Sequence, residues 1–208
     1  MFDQIPFGRE FFEALLQEDE RIVREVAAKG CPACAGRLHR ADYARKPRGA
    51  LVAVEDGKPL VAVEDEKYAT RFSLCCDREG CRRRATPPSL RFLGRRVYLG
   101  AVVLVASLFA RMRKSLAEVR GATGVPTRTV CRWLGWWVGP FVSTEVFIAL
   151  RARLVGVAVD ELPGSILLAL PGTLPEKVRT LLARLTPLTT GQGARRSTRS
   201  EGCALGAA

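Results

Sequence analysis

Arg71-Phe-Ser-Leu-Cys75-Cys76-Asp-Arg-Glu-Gly80-Cys81, read together with Cys31-Pro-Ala-Cys34, decides how this 208-residue chain is organised. Each stretch sets two thiols across a tight turn, the first as C-x2-C and the second as C-x4-C. Four thiolates close a tetrahedral zinc site with bonds of ~2.3 Å and no open position, so such a centre builds shape and does no chemistry. The expected ligands are Cys31, Cys34, Cys76 and Cys81. Gly80 relieves the backbone just before Cys81. Cys75 is a rival for the third position and would give C-x5-C; adjacent strand residues point to opposite faces, so one of the two reaches the ion. Buried inert thiols and an iron site are the alternatives. His39, the one histidine, reads as an exposed strand residue, and Cys131 and Cys203 have no partner at ligand spacing.

The charge pattern points to a polyanion. Residues 67–137 hold 15 of the 33 basic side chains against three acids, a net charge equal to the +12 of the whole chain. A concentrated basic segment gains binding energy by releasing counterions from phosphates. The N-terminus lacks a basic region followed by an apolar one, and seven cysteines at knuckle spacing suit reduced thiols, so the expectation is a cytoplasmic, nucleoid-associated protein. The longest apolar run, residues 97–110, falls short of the ~20 residues that span a bilayer, and a buried helix is expected there rather than a membrane segment.

Outward from the cysteines, the chain divides into five parts. Residues 1–30 carry an amphipathic helix over 9–29 (Phe11, Phe12, Leu15, Leu16, Ile22, Val23, Val26), stopped by Gly30 and packed on its own chain or on a second copy as a homodimer. Residues 31–90 form the zinc ribbon, with strands over 37–43 and 68–74. Between these strands Leu51-Val-Ala-Val-Glu-Asp56 recurs as Leu60-Val-Ala-Val-Glu-Asp65, and Asp56-Gly57 signals a hairpin turn. Residues 91–138 hold three helices: an apolar one over 97–112, a second capped by Ser115 and Glu118 and ended by Gly124, and a third from Pro126 to about Trp137. Residues 139–188 hold helices over 144–159 and from near Pro175. Residues 189–208 read as a tail. The fold class is α+β, mostly α: a small zinc-ribbon β unit, then a helix-turn-helix, then further C-terminal helices.

The second and third of those helices have the spacing of a DNA-reading pair. Val119, Val125, Val130 and Trp133 would lock them, and Gly124 would supply the turn. Thr127, Arg128, Thr129 and Arg132 would then stand at the front of a recognition helix, where arginine can grip guanine and threonine a phosphate or thymine methyl. Arg82, Arg83 and Arg84 would follow the phosphate backbone without reading sequence, as would Arg95 and Arg96. An ordinary helical hairpin is the plainer alternative.

Cys31-Pro-x-Cys34, then Arg71-Phe-Ser-x-Cys75-Cys76-x-x-x-Gly80-Cys81-Arg-x-Arg-x-Thr86-Pro87-Pro88, then Arg91-Phe-Leu-Gly-Arg-Arg-Val-Tyr98, resembles the DNA-recognition half of bacterial insertion-sequence transposases. The resemblance covers residues 30–137 and, less specifically, the helices to Leu188. It implies zinc and double-stranded DNA, at the ends of a mobile element or in its regulation, and no small-molecule substrate. Strand transfer needs carboxylates holding two metal ions. The sparse acids Glu145, Asp160, Glu161, Glu176 and Glu201 offer no convincing set, so no catalytic residue is assigned. A compact or truncated catalytic transposase and a zinc-ribbon adaptor that binds protein are the rival readings.

Overall fold

The computed structural model describes residues 7–45, 52–55, 58–61, 66–93, 98–112 and 115–190. It is a mixed α/β protein with small antiparallel sheets. Helix α1 (Arg9–Lys29) buries Phe11, Phe12, Leu15, Asp19 and Val23, and Gly30 closes it at φ +74, its N–H donating to the Ala27 carbonyl. Strand β1 (Leu38–Arg40) follows, then β2 (Tyr43–Ala44) and the hairpin β3 (Val52–Glu55) with β4 (Lys58–Val61). That hairpin pairs Val52 with Val61 and Glu55 with Lys58, across the repeat noted above; its Asp56-Gly57 turn lies outside the described residues.

The strand expected over 68–74 forms differently. Tyr68 belongs to a one-turn helix, α2 (Glu66–Ala69), followed by β5 (Thr70–Arg71) and β6 (Leu74–Cys76). Strand β5 pairs with β2, while β6 lies between β1 and β7 (Arg84–Ala85). The break between them has a local cause. Ser73 N–H donates to the Asp42 carboxylate (2.9 Å) instead of continuing a ladder. Residues 71–74 are all buried, so this stretch lacks the in-and-out alternation of a strand with one wet face.

The remaining chain is helical. Helix α3 (Gly100–Arg111) is buried from Gly100 to Phe109 and forms the centre of the main core. A Cβ on Gly100 would stand 2.7 Å from Leu182 Cδ2 and 3.2 Å from the Leu90 carbonyl oxygen, so glycine permits that approach. Helices α4 (Leu116–Thr123) and α5 (Thr127–Val138) pack on α3, and a 3₁₀ turn (Pro140–Ser143) follows α5. Helices α6 (Glu145–Arg151) and α7 (Gly164–Ala169) pack against α8 (Leu174–Leu185), which returns to α3, and a second 3₁₀ turn (Thr186–Thr189) ends this part of the chain. Trp137 Nε1 donates to Ser107 Oγ (3.0 Å), giving both buried polar groups a partner.

Helix α6 is shorter than the helix expected over 144–159. It starts where expected, with Thr144 as its cap, but it ends at Arg151. Beyond it, Val155, Val157 and Val159 alternate around Gly156, which sits at φ +78 and cannot continue a helix. Helix α7 was not anticipated; Pro163 and Pro171 read as punctuation, yet Ile166 and Leu167 between them are buried. Among the described residues no single helix is long and apolar enough to cross a membrane. The tail expected over 189–208 starts later than that, because Thr189 is buried at the end of the second 3₁₀ turn and accepts from Ser89 N–H; residues 191–208, with Cys203, lie outside the described residues.

Helix α1 joins two apolar clusters. Phe11, Phe12 and Leu15 enter the main core, whereas Val23 enters a smaller one with Cys31, Leu38, Phe72, Leu74 and Cys76. Between these levels sits Asp19, only 1% exposed. Its carboxylate accepts from Ser89 Oγ (2.6 Å), Leu90 N (2.6 Å) and Arg91 Nε (2.8 Å). Arg91 Nη1 also donates to the Tyr68 carbonyl. Arg71 is buried beside them; it donates to the Pro87 and Phe72 carbonyls, and burial pushes its pKa down. Arg71 and Arg91 are therefore internal groups, a correction to the count of basic side chains offered to a polyanion.

Removing one partner of a buried ion pair strands the other. Asp19→Ala is expected to cost about 3–5 kcal/mol of unfolding free energy in urea titrations. A loss under ~1 kcal/mol, the value of a surface pair, would show that the pin does not hold α1 in place.

Candidate metal centre

Two turns bring the cysteines together. Cys31 follows directly on the glycine that caps α1. Its N–H donates to the Gly36 carbonyl (2.8 Å), and Ala35 N–H returns a bond to the Cys31 carbonyl (2.8 Å). The second turn leaves the sheet at Cys76, whose N–H donates to the Arg83 carbonyl (3.0 Å), and Cys81 N–H bonds the Arg78 carbonyl (3.1 Å). Each turn makes a left-handed step on the residue after its second cysteine, Ala35 at φ +56 and Arg82 at φ +44. Side-chain residues seldom adopt that conformation, and here it occurs twice in equivalent places.

All four sulfurs lie within 4.8 Å of one another. Cys31 Sγ is 3.8 Å from Cys81 Sγ, and Cys34 Sγ is 3.5 Å from Cys76 Sγ. A tetrahedron with ~2.3 Å metal–sulfur bonds has edges of about 3.8 Å, so the set fits an ion at its centre. Gly36 lets the sulfurs close up: a Cβ there would come within 3.0 Å of Cys76 Sγ and 3.3 Å of Cys34 Sγ. Arg78 Nη1 braces the first turn through the Cys34 carbonyl (3.0 Å).

The electrostatics suit a cation. The Ala33 amide, with help from Cys34, pulls the Cys31 thiol down to about 7. Burial pushes Cys76 up to about 12, against the opposing pull of the Arg78 amide. At Cys81 the Arg83 amide favours the thiolate, but the adjoining Cys34 and Cys31 thiols and burial outweigh it and raise the pKa. Four thiols this close cannot all ionise unless positive charge sits among them, and a metal ion supplies that charge. These four cysteines could thus hold a metal ion with sulfur alone.

The structure places Cys76 in the cluster, whereas Cys75 points away and its thiol faces the Arg82 carbonyl oxygen (3.5 Å). This follows from the alternation of faces along β6. His39 is exposed and lies opposite Cys75 in the β1–β6 register, outside the sulfur cluster.

The residues expected at DNA are more dispersed. Arg82, Arg83 and Arg84 are exposed, and the Arg84 guanidinium stands 5.6 Å above the exposed Tyr43 ring. Arg95 and Arg96 lie outside the described residues. Helix α4 carries the Ser115–Glu118 capping box, and Gly124 ends it at φ +63. Val119, Val125 and Val130 are fully buried between α4, α5 and the core, with Trp133 5% exposed. Arg128, Cys131 and Arg132 are exposed and Thr127 is half-buried. Thr129 is a correction: it turns inward and is 9% exposed, because it shares the buried side of α5 with Val130 and Trp133.

Sequence reasoning missed Gly36 and the Asp19 pin. A Cys34-x-Gly36 spacing was the available signal for the first. For the second there was none, since Asp19 and Arg91 lie 72 residues apart. No family model matches this chain, and comparison with curated proteins and with solved structures returned no match.

Cys76→Ser is expected to abolish stoichiometric metal binding, measured by atomic emission on purified protein, whereas Cys75→Ser keeps it. The reverse pattern would move the third ligand to Cys75.

Proposed function

We propose that this chain is a zinc-stabilised, sequence-specific double-stranded DNA-binding protein of the transposase-associated type. The observation that carries the reading is the α4–α5 pair. A left-handed glycine turns the chain between two helices, four apolar side chains fix their angle, and two arginines are left outward near the start of the second. Among the described residues no acid is paired with Arg128 or Arg132, and both are exposed, so both guanidinium groups are available to an outside anion. That is how a helix-turn-helix offers its reading helix to the major groove.

In this reading Cys31, Cys34, Cys76 and Cys81 hold zinc, the usual occupant of a four-sulfur tetrahedral site. The bound ion supplies charge neutralisation and a crosslink between the two turns, and no catalytic step. Arg82, Arg83 and Arg84, carried on the turn that follows Cys81 and on β7, contact phosphates and set the register on the duplex. Arg128 and Arg132 approach base edges, with Thr127 beside them. The resemblance of residues 30–137 to the recognition half of insertion-sequence transposases makes mobile-element DNA the first target to try.

Sequence reading and phosphate contact separate in experiment. On an oligonucleotide selected from a random pool, Arg128→Ala should weaken specific binding by about 1–3 kcal/mol and relax preference at one position. Neutralising Arg82, Arg83 and Arg84 together should lower affinity for every sequence and flatten its dependence on salt. An unchanged footprint in the first variant would remove α5 from the major groove, and an unchanged salt slope in the second would remove the ribbon arginines from the phosphates.

A further inference from the structure

All four sulfurs lie within 4.8 Å of one another, and the two sulfur–sulfur contacts with hydrogen-bond geometry both run between the turns. Cys34 Sγ meets Cys76 Sγ at 3.5 Å and Cys31 Sγ meets Cys81 Sγ at 3.8 Å. Each contact joins a half-buried cysteine to a buried one. Cys34 and Cys81 are half-buried, whereas Cys76 is 0% and Cys31 3% exposed. A partly exposed cysteine with a sheltered one beside it is the arrangement in which oxidation ends in a disulfide rather than in higher sulfur acids.

We propose that the four-cysteine centre is an oxidation switch, in which a two-electron oxidant of the peroxide class converts it into two cross-turn disulfides, Cys31–Cys81 and Cys34–Cys76, and expels the metal. The expulsion rests on the zinc reading above; the pairing rests on the sulfur geometry alone. Cys34 Sγ, as thiolate, attacks one peroxide oxygen. The O–O bond breaks, the sulfur becomes a sulfenic acid, and hydroxide leaves and takes a proton to become water. Cys76 Sγ, as thiolate, then attacks the sulfenic sulfur. The S–S bond forms, the S–O bond breaks, and a second hydroxide leaves as water. Two electrons have passed from the sulfur pair to peroxide. Cys81 and Cys31 repeat the sequence. From the loaded centre the two reactions consume two peroxides and four protons, form four waters and release one metal ion. A thiol reductant with added metal reverses the change.

The geometry also says what the oxidised form keeps. Both bonds join the turn after α1 to the turn after β6, so they replace the crosslink that the metal provides. The ribbon is held by covalent bonds in one state and by an ion in the other.

The test treats zinc-loaded full-length protein with stoichiometric hydrogen peroxide. Released zinc is followed with a chromophoric chelator, and disulfides are mapped by peptide mass spectrometry without reduction. The expected result is one equivalent of zinc released in step with the Cys31–Cys81 and Cys34–Cys76 linkages, both reversed by dithiothreitol and zinc. The same map is expected from a Cys75→Ser/Cys131→Ser variant, which leaves the cluster intact. Linkages within the turns, Cys31–Cys34 and Cys76–Cys81, would overturn the proposal, as would sulfinic acid at Cys34 and Cys81 with no disulfide. Protein that carries no zinc yet forms the cross-turn pairs would keep the switch's pairing and defeat the metal reading. Zinc-bearing protein that forms other pairs would do the opposite.

Discussion

Four sulfur atoms within 4.8 Å of one another are the constraint around which the small β unit is built. The strands around them are two to three residues long, and among the described residues the smaller apolar cluster holds six buried ones. Such a unit has little burial with which to offset chain entropy, and small domains of this kind commonly rely on a metal or a disulfide. The local backbone is shaped for the same end. Gly36 leaves room for two sulfurs, two side-chain residues hold left-handed conformations, and four amides point at three of the thiols.

The cysteine-bearing β unit is attached to the helical body by α1 rather than by a linker alone. One end of that helix is packed in the main core and the other runs through Gly30 into Cys31. Asp19 fastens its middle to residues 89–91, and Thr189 accepts from Ser89 N–H at the end of the C-terminal helices. Two arginine-bearing surfaces, one on β7 with the turn before it and one on α5, are therefore mounted on a common frame. In the proposed function this frame would give both surfaces a fixed relation on one duplex, with phosphate contacts setting position and α5 reading bases.

Much of this was legible in the sequence because the signals were local. Gly30 ends α1, Ser115 and Glu118 cap α4, Gly124 turns the chain, and Thr144 starts α6, each through its own backbone chemistry. The cysteines were legible because few other patterns set four thiols at turn spacing. What was not legible depends on partners far along the chain. Arg71 and Arg91 look like surface cations until Asp19 and the Pro87 and Tyr68 carbonyls are placed around them. Thr129 looks like a contact residue until α5 is rotated by the packing of Val130 and Trp133. The apolar residues at 154–159 read as helix because their spacing ignored Gly156 and the β-branched alternation around it.

The account stands on sulfur coordination, and the metal's own surroundings report it most directly. X-ray absorption at the zinc edge of the purified, reduced protein should show a single shell of four sulfur scatterers at ~2.3 Å, with one zinc per chain. A shell containing nitrogen or oxygen, or reduced and folded protein that holds no metal at all, would contradict it.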